Sequence, residues 1–410
     1  MTTIYETEKP VFNNNAKYLY VVNSISNVPE GFQSVTKSDY RIYGYIRRGY
    51  NVVITYKDLM YLDIRSLKHL KDYTLVIDGV FNLFDTIKLY KDDINSNLLG
   101  TNTVKIDNNK MTWLDEDYVN GVYKDVMRAC HYGEVTVITN ELLTYTFTGK
   151  LFNYFKDVNI YTVYFKGQLL KYLFDKCNLE YNIISDKYDK PNVKIIDNIK
   201  LDSLGKSYKS FNNNWVNAHL GKVVANPLVN IIKKLKKEGK SVVWTTFDSN
   251  YTKVSSKGCK TLFKSMNDTT KINVDVGFFM ANPFIDKYVM QYFNNSVDVD
   301  EYALSTLLRF LYTTNVKEVY IPSSRMKKLL NDFLIWQIQE NLIWLNHQKK
   351  SEVKIMKVFG IAKYTDKNNI NIGSIKNAKF SEHDNNTCYV EGTLDNIKDN
   401  TGDVTIFAYK

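Results

Sequence analysis

Short apolar runs alternate with amphipathic stretches along most of the chain. Tyr18–Asn23 (YLYVVN), Asn51–Tyr56 (NVVITY), Thr74–Asp78 and Glu134–Thr139 (EVTVIT) read as strands. Between them, Leu59–Leu70 and Tyr118–Cys130 carry apolar residues at helical spacing. Strands alternating with helices predict a mostly parallel α/β sheet. A second series is expected to begin at Asn159–Tyr164 (NIYTVY), followed by a helix at Gly167–Cys177 and a strand at Tyr181–Ser185. Asp186–Asn214 is polar and poor in strand signals. The rhythm returns with a Lys-rich helix at Pro227–Glu238, stopped by Gly239, and a strand at Ser241–Thr246. A helix at Glu301–Tyr312, a strand at Val316–Ile321 and a long helix at Ser324–Leu345 follow. From about Ser351, short β-prone runs separated by Asn, Asp and Gly turns predict a small β-rich appendage. The expected division is therefore 1–158, 159–350 and 351–410.

The run ending at Asp78 delivers a carboxylate to the C-terminal edge of a buried parallel strand, where ligands sit in such sheets. Asp78 could bind a metal or simply end the strand; Gly79 beside it cannot act as a base. A phosphate-binding loop is expected after the first strand, but Ser24–Ser34 has no Lys, one Gly, and an acid at Glu30. Asn27 and Gly31 are the candidate positions left there. The chain's GKS, Gly205-Lys206-Ser207, has Lys200 where a P-loop needs its first Gly. No GxSxG or HExxH occurs, and the five histidines are scattered, so no catalytic or metal-ligating residue is assigned.

Charge changes the picture more than composition does. The formal net charge is +10, and aromatics make up 14% of the residues. A basic, aromatic-rich surface suits DNA or RNA, with Lys and Arg on phosphates and rings on bases. Two clusters stand out. Lys233, Lys234, Lys236 and Lys237 lie on the predicted Lys-rich helix. Ser323, Ser324, Arg325, Lys327 and Lys328 follow a strand–Pro turn, where hydroxyls, a helix start and an Arg could grip a phosphate. The four cysteines lie far apart, without zinc spacing. No signal peptide or membrane-length apolar run is present, which points to a cytoplasmic protein with no membrane partner. Abundant Lys, Asn, Ile and Tyr suggest a low-GC genome, a phage or a mobile element.

Val297–Tyr312 (VDVDEYALSTLLRFLY) with Val319–Leu330 (VYIPSSRMKKLL) resembles the C-terminal end of DEAD-like superfamily 2 helicase-type proteins of phages and mobile elements of low-GC Gram-positive bacteria. Trp244–Phe247 through Lys257-Gly258, Asn282–Ile285 and Tyr161–Leu173 resemble further segments of that family. The resemblance spans about residues 15 to 348 and implies two RecA-like lobes. It also implies a nucleotide site from which parts are missing. The P-loop Lys has no counterpart, and the acidic pair is Asp78-Gly79. The arginine-bearing segments appear as Asn267–Thr270 without an Arg, and as Phe310–Thr314 with Thr313 at the Arg position and Arg309 one turn away.

The resulting expectation is an α/β protein of two RecA-like lobes with mostly parallel sheets and a β-rich tail. Its degenerate nucleotide site would comprise Asn27, Gly31, Asp78, Gly79, Arg309 and Thr313. It would bind nucleic acid or a replication partner without hydrolysing ATP, and without a cofactor. The alternatives are an active but atypical NTPase using ATP and Mg²⁺, a protein-interaction module, or a two-lobed glycosyltransferase.

Overall fold

The computed structural model describes residues 2–335 except 7–8, 14, 26–27, 36–38, 186–190, 220–223, 253–260, 267 and 269, together with 356–363, 375–384, 387–394 and 404–409. Residues Met1–Lys327 form one compact unit and Lys328–Lys410 another.

The first unit opens with β1 (Thr2–Glu6), β2 (Lys17–Val22), β3 (Phe32–Ser34), β4 (Asn51–Thr55) and β5 (Tyr73–Asp78). After β5 comes an insertion: β6 (Phe84–Lys88), β7 (Val104–Asp107), β8 (Lys110–Trp113), β9 (Gly133–Thr139) and β10 (Leu142–Phe147). These five form an antiparallel sheet in the order β6-β10-β9-β8-β7. The chain then returns through β11 (Asp157–Thr162) and β12 (Tyr181–Ser185), completing a seven-stranded parallel sheet in the order β12-β1-β11-β5-β2-β4-β3.

This pairing corrects two expectations. The boundary expected at 158/159 falls inside β11, which lies between β1 and β5 in the first sheet. Glu134–Thr139 is a strand, but an antiparallel one in the insertion. The alternating Leu19, Val21, Leu75 and Ile77 side chains join the main core with Leu59, Leu70, Phe147 and Phe174. The opposite face carries Tyr18, Tyr20, Val22, Val76 and Tyr161, packed against Phe12, Ile25 and Phe32.

The second lobe is a five-stranded parallel sheet of β13 (Lys194–Ile195), β14 (Val242–Thr245), β15 (Leu262–Phe263), β16 (Val276–Phe279) and β17 (Glu318–Tyr320), in the order β13-β17-β16-β14-β15. The helix Ala225–Lys237 places Leu228, Ile232 and Leu235 in one core with Trp244 and Phe278. The helix Val299–Thr314 covers the other face, where Phe310 packs on Phe279. Helices on both faces of a parallel sheet make this a doubly wound lobe. Asp298 caps the second helix by accepting from the N–H groups of Asp300 and Glu301.

That helix also joins the lobes. Tyr164 and Lys166 bond Glu301, Ser305 donates to the carbonyl of Gly167, and Tyr172 accepts from the N–H of Asp298. The second unit holds an antiparallel sheet of β18 (Met356–Lys363), β19 (Lys376–Asp384), β20 (Thr387–Leu394) and β21 (Val404–Tyr409), in the order β19-β20-β18-β21. The molecule is thus mixed α/β, with mostly parallel sheets and a small antiparallel sheet at its C-terminus.

Candidate functional site

The acid edge lies where the sequence puts it. Asp78 ends β5 in register with Val22 of β2. The first sheet's order changes direction here, since the chain goes outward from β2 to β3 and β4 and then returns to β5 on the other side. Two tyrosines converge on the acid. The Tyr20 hydroxyl donates to Asp78 Oδ2 at 2.6 Å, and the Tyr56 hydroxyl donates to the Asp78 carbonyl at 2.7 Å. Tyr56 is held by a short helix whose first turn Thr55 and Asp58 cap reciprocally. Burial raises the Asp78 carboxyl above its ordinary range, against the pull of Tyr20 and Lys271. Burial and the nearby acid push the Tyr20 and Tyr56 hydroxyls up as well.

Asp78 is therefore an acceptor committed to the fold. Its sequence neighbours are committed too: Asp63 pairs with Arg65 and Arg128, while Asp85 accepts from Tyr61 and pairs with Lys57. Among the described residues no group of three His, Cys, Asp or Glu side chains could hold a metal.

Gly79 has a different explanation from a lost catalytic acid. Its φ is +110°, and its N–H donates to the carbonyl of Tyr161 at 2.8 Å. A Glu would strain this backbone, so the turn itself demands glycine.

The expected phosphate loop is also of another kind. A P-loop opens onto a helix whose free N–H groups face the phosphates. Here the chain after β2 leads into β3, an edge strand paired with β4. Gly31, at φ +80°, is an exposed turn residue just before β3, and Asn27 lies outside the described residues. Lys257 and Gly258 lie outside them as well. The GKS is a packing point. A Cβ on Gly205 would sit 1.6 Å from the carbonyl oxygen of Pro322, and the N–H of Ser324 donates to the Gly205 carbonyl.

From the second lobe, Arg309 is brought to the lobe junction. It is 6% exposed, and the ionisable groups acting on it are Tyr302 on its own helix and Tyr56 of the first lobe. Its Nε has no hydrogen-bond partner, and no carboxylate pairs with it among the described residues. Burial lowers the guanidinium to about 10. Arg309 is thus a buried cation without a counter-charge among the described residues. Thr313 differs, because its hydroxyl bonds the carbonyls of Arg309 and Phe310 within the helix.

The two basic clusters have opposite fates. Lys233, Lys234, Lys236 and Lys237 are all exposed, opposite the buried Leu228, Ile232 and Leu235. One loose pair, Lys234 with Glu238 at 4.0 Å, touches them.

Arg325 is buried instead. It bonds Asp300 through Nε at 2.8 Å, Asn282 Oδ1 and the Pro283 carbonyl through Nη1, and the Val299 carbonyl through Nη2. Its guanidinium also lies 4.5 Å from the Phe284 ring centre. Lys327 pairs with Asp197 and Asp202, and the Ser323 hydroxyl accepts from the N–H of Met326 in a buried N-terminal turn. Ser324 and Lys328 are exposed. The phosphate grip expected of Ser323, Arg325 and Lys327 is corrected: the fold already uses these groups.

One polar group was missed from the sequence. Around the carboxyl end of β14, Trp244, Thr245 and Asn250 are fully buried and each keeps a polar atom without a partner among the described residues. Its one sequence signal is a run of apolar residues that ends in Thr245-Thr246 at the strand edge.

Among the described residues no helix is long and apolar enough to cross a membrane. Residues 189–334 match the family described as YonV C-terminal Rossmann-like domain. The chain is also 25% identical over 312 residues, 66% of its length and 75% of the relative's, to the SPbeta prophage-derived uncharacterized protein YonV of Bacillus subtilis (strain 168). These similarities support a Rossmann-like second lobe and a phage-derived origin, and neither is described as a helicase.

Proposed function

We propose that this is a nucleic-acid-binding protein of phage origin that does not hydrolyse ATP by P-loop chemistry. The observation that carries the reading is the lysine face of the helix Ala225–Lys237. Four cations project there from a helix whose apolar side is buried, so the charges are displayed on a rigid element and are nearly free of acids. Such a row contacts phosphates without reading bases, and its affinity falls steeply with salt. The net charge of +10 adds long-range attraction to a polyanion.

The second half of the proposal rests on the first lobe. β2 leads to a strand, Gly79 is fixed by its turn, and Asp78 is held by Tyr20 and Tyr56. Titration of labelled single- and double-stranded oligonucleotides at several salt concentrations tests the binding. A phosphate-release assay with and without DNA tests the chemistry. Release well above background, abolished by Asp78→Ala, would sink the non-hydrolytic reading.

A second reading, a sugar-nucleotide-dependent transferase, is favoured by the doubly wound second lobe together with Arg309, a buried cation at the lobe junction with no carboxylate partner among the described residues. Its test is binding of a nucleoside diphosphate sugar, lost on Arg309→Met.

A further inference from the structure

Residues 205–211 form a strap over the chain that follows β16 and β17. The Asn282 side-chain amide donates to the carbonyls of Tyr208 and Ser210, both at 2.8 Å, and the Asn282 N–H donates to the Phe211 carbonyl at 2.7 Å. Beyond β17, the Ser324 N–H donates to the Gly205 carbonyl at 3.1 Å. All four bonds end on the strap's backbone. Its main chain is therefore pinned, while the side chains of Lys206, Tyr208 and Lys209 stay exposed. The strap presents a surface and not a pocket.

A single exposed ring is ordinary; the support beneath Tyr208 is not. Tyr208 is 56% exposed, yet the Arg325 guanidinium lies over its ring at 5.3 Å and Phe284 meets it edge-on at 5.6 Å. Arg325 is itself 6% exposed and fixed by bonds to Asp300, Asn282 and two carbonyls. One face of the ring thus rests on a buried, immobile cation, and the other is turned to solvent. The charge around it is one-sided. Asp202, whose carbonyl accepts from the Gly205 N–H, is taken up with Asp197 by Lys327, and Asp300 is taken up by Arg325. Lys206 and Lys209 pair with no acid among the described residues. An open aromatic face between two available cations suits a single strand, whose unstacked base covers the ring while neighbouring phosphates meet the cations. A duplex keeps its bases stacked on one another and offers the strap only phosphates.

We propose that the strap is a contact site for single-stranded nucleic acid, with a base stacked on Tyr208 and adjacent phosphates on Lys206 and Lys209. The proposal rests on the nucleic-acid reading and adds a strand preference, which lysines on phosphates do not supply. The two places are distinct. The helix Ala225–Lys237 leads into β14, so its lysine-bearing end lies at the amino end of that strand. The strap lies beyond the carboxyl ends of β16 and β17, which run parallel to β14.

The test uses the full chain, titrated against a labelled single-stranded oligonucleotide and against the duplex of the same sequence. The wild type is compared with Tyr208→Ala, Tyr208→Phe and the double variant Lys206→Ala, Lys209→Ala. Tyr208→Ala is expected to weaken single-strand binding about tenfold, with duplex binding and the salt slope unchanged. Tyr208→Phe keeps the ring and is expected to bind like the wild type. The lysine variant is expected to flatten the single-strand salt slope by about 0.7 for each phosphate no longer neutralised. Binding by the wild type that Tyr208→Ala leaves intact would overturn the strap site and leave the lysine face standing. Equal losses for single strand and duplex, or a Tyr208→Phe variant as weak as Tyr208→Ala, would overturn base stacking there. A wild type that binds neither oligonucleotide at low salt would overturn this site and the nucleic-acid reading together.

Discussion

Two basic clusters of the second lobe look alike in sequence and differ in the fold. Lys233–Lys237 lies on the solvent side of a helix whose other side is core, so its charges stay in water. Ser323–Lys328 follows β17, where the chain turns back into the lobe, and Arg325 is drawn under Phe284 to join Asp300, Asn282 and two carbonyls. A cation is available to a polyanion only where the fold has not already engaged it. In the second cluster Arg325 and Lys327 are engaged by the fold, and in the first the lysines stay in water.

The contrast can be broken most sharply at Arg325. Arg325→Ala should cost roughly 3 kcal/mol, since it strips a buried acceptor set of its donor. Urea unfolding measures this, and a loss below about 1 kcal/mol would mean that Arg325 is a free cation after all. Gly79→Glu makes the same point at the first-lobe edge. It should cost roughly 2 kcal/mol through its positive φ and should create no ATP hydrolysis. A folded variant with phosphate release would show that the position is a missing base.

A smaller effect is expected at Lys327. Burial acts to lower its ammonium, but the bonds to Asp197 and Asp202 outweigh this and raise it. Lys327→Met should therefore cost about 1 kcal/mol or less. A raised folded value means that this contribution is fully present below the ordinary lysine value of 10.5 and is lost as pH rises through the raised one. The difference between wild type and variant should shrink in unfolding curves taken at pH values above 10.5.

The least effect on stability per residue is expected for Lys233, Lys234, Lys236 and Lys237 replaced by Ala. Exposed positions on a helix of good formers change stability little, within about 0.5 kcal/mol each.

Much of the fold was legible because β-branched runs mark strands wherever they pair. YLYVVN, NVVITY, TLVID and SVVWTT all became parallel strands. Sheet membership was not legible. NIYTVY has the same pattern in either sheet, and only its register against β1 and β5 assigns it to the first. β1 itself, five residues in a polar start, was invisible until its partners β11 and β12 lay beside it.

The site shows the same limit. The place of Asp78 could be read from the strand that ends there. Its engagement by Tyr20, 58 positions away, could not. Gly79 read as a missing acid because a sequence records which residue is present and not the φ that requires it. Arg325 read as a phosphate ligand because its partners Asp300 and Asn282 lie 25 and 43 positions away. The orphans at β14 gave almost no signal, since partnership depends on what surrounds an atom.

The lysine face is tested most directly by fluorescence-anisotropy titration of a labelled single-stranded oligonucleotide at several salt concentrations. The wild type is compared with the variant in which Lys233, Lys234, Lys236 and Lys237 are Ala. Wild-type binding is predicted to weaken with salt at a log–log slope of roughly −0.7 per neutralised phosphate. In the variant the slope should flatten by about 0.7 for each phosphate that is no longer neutralised, alike for all sequences. No binding at low salt, or a slope unchanged by the four substitutions, would contradict a nucleic-acid role for this face.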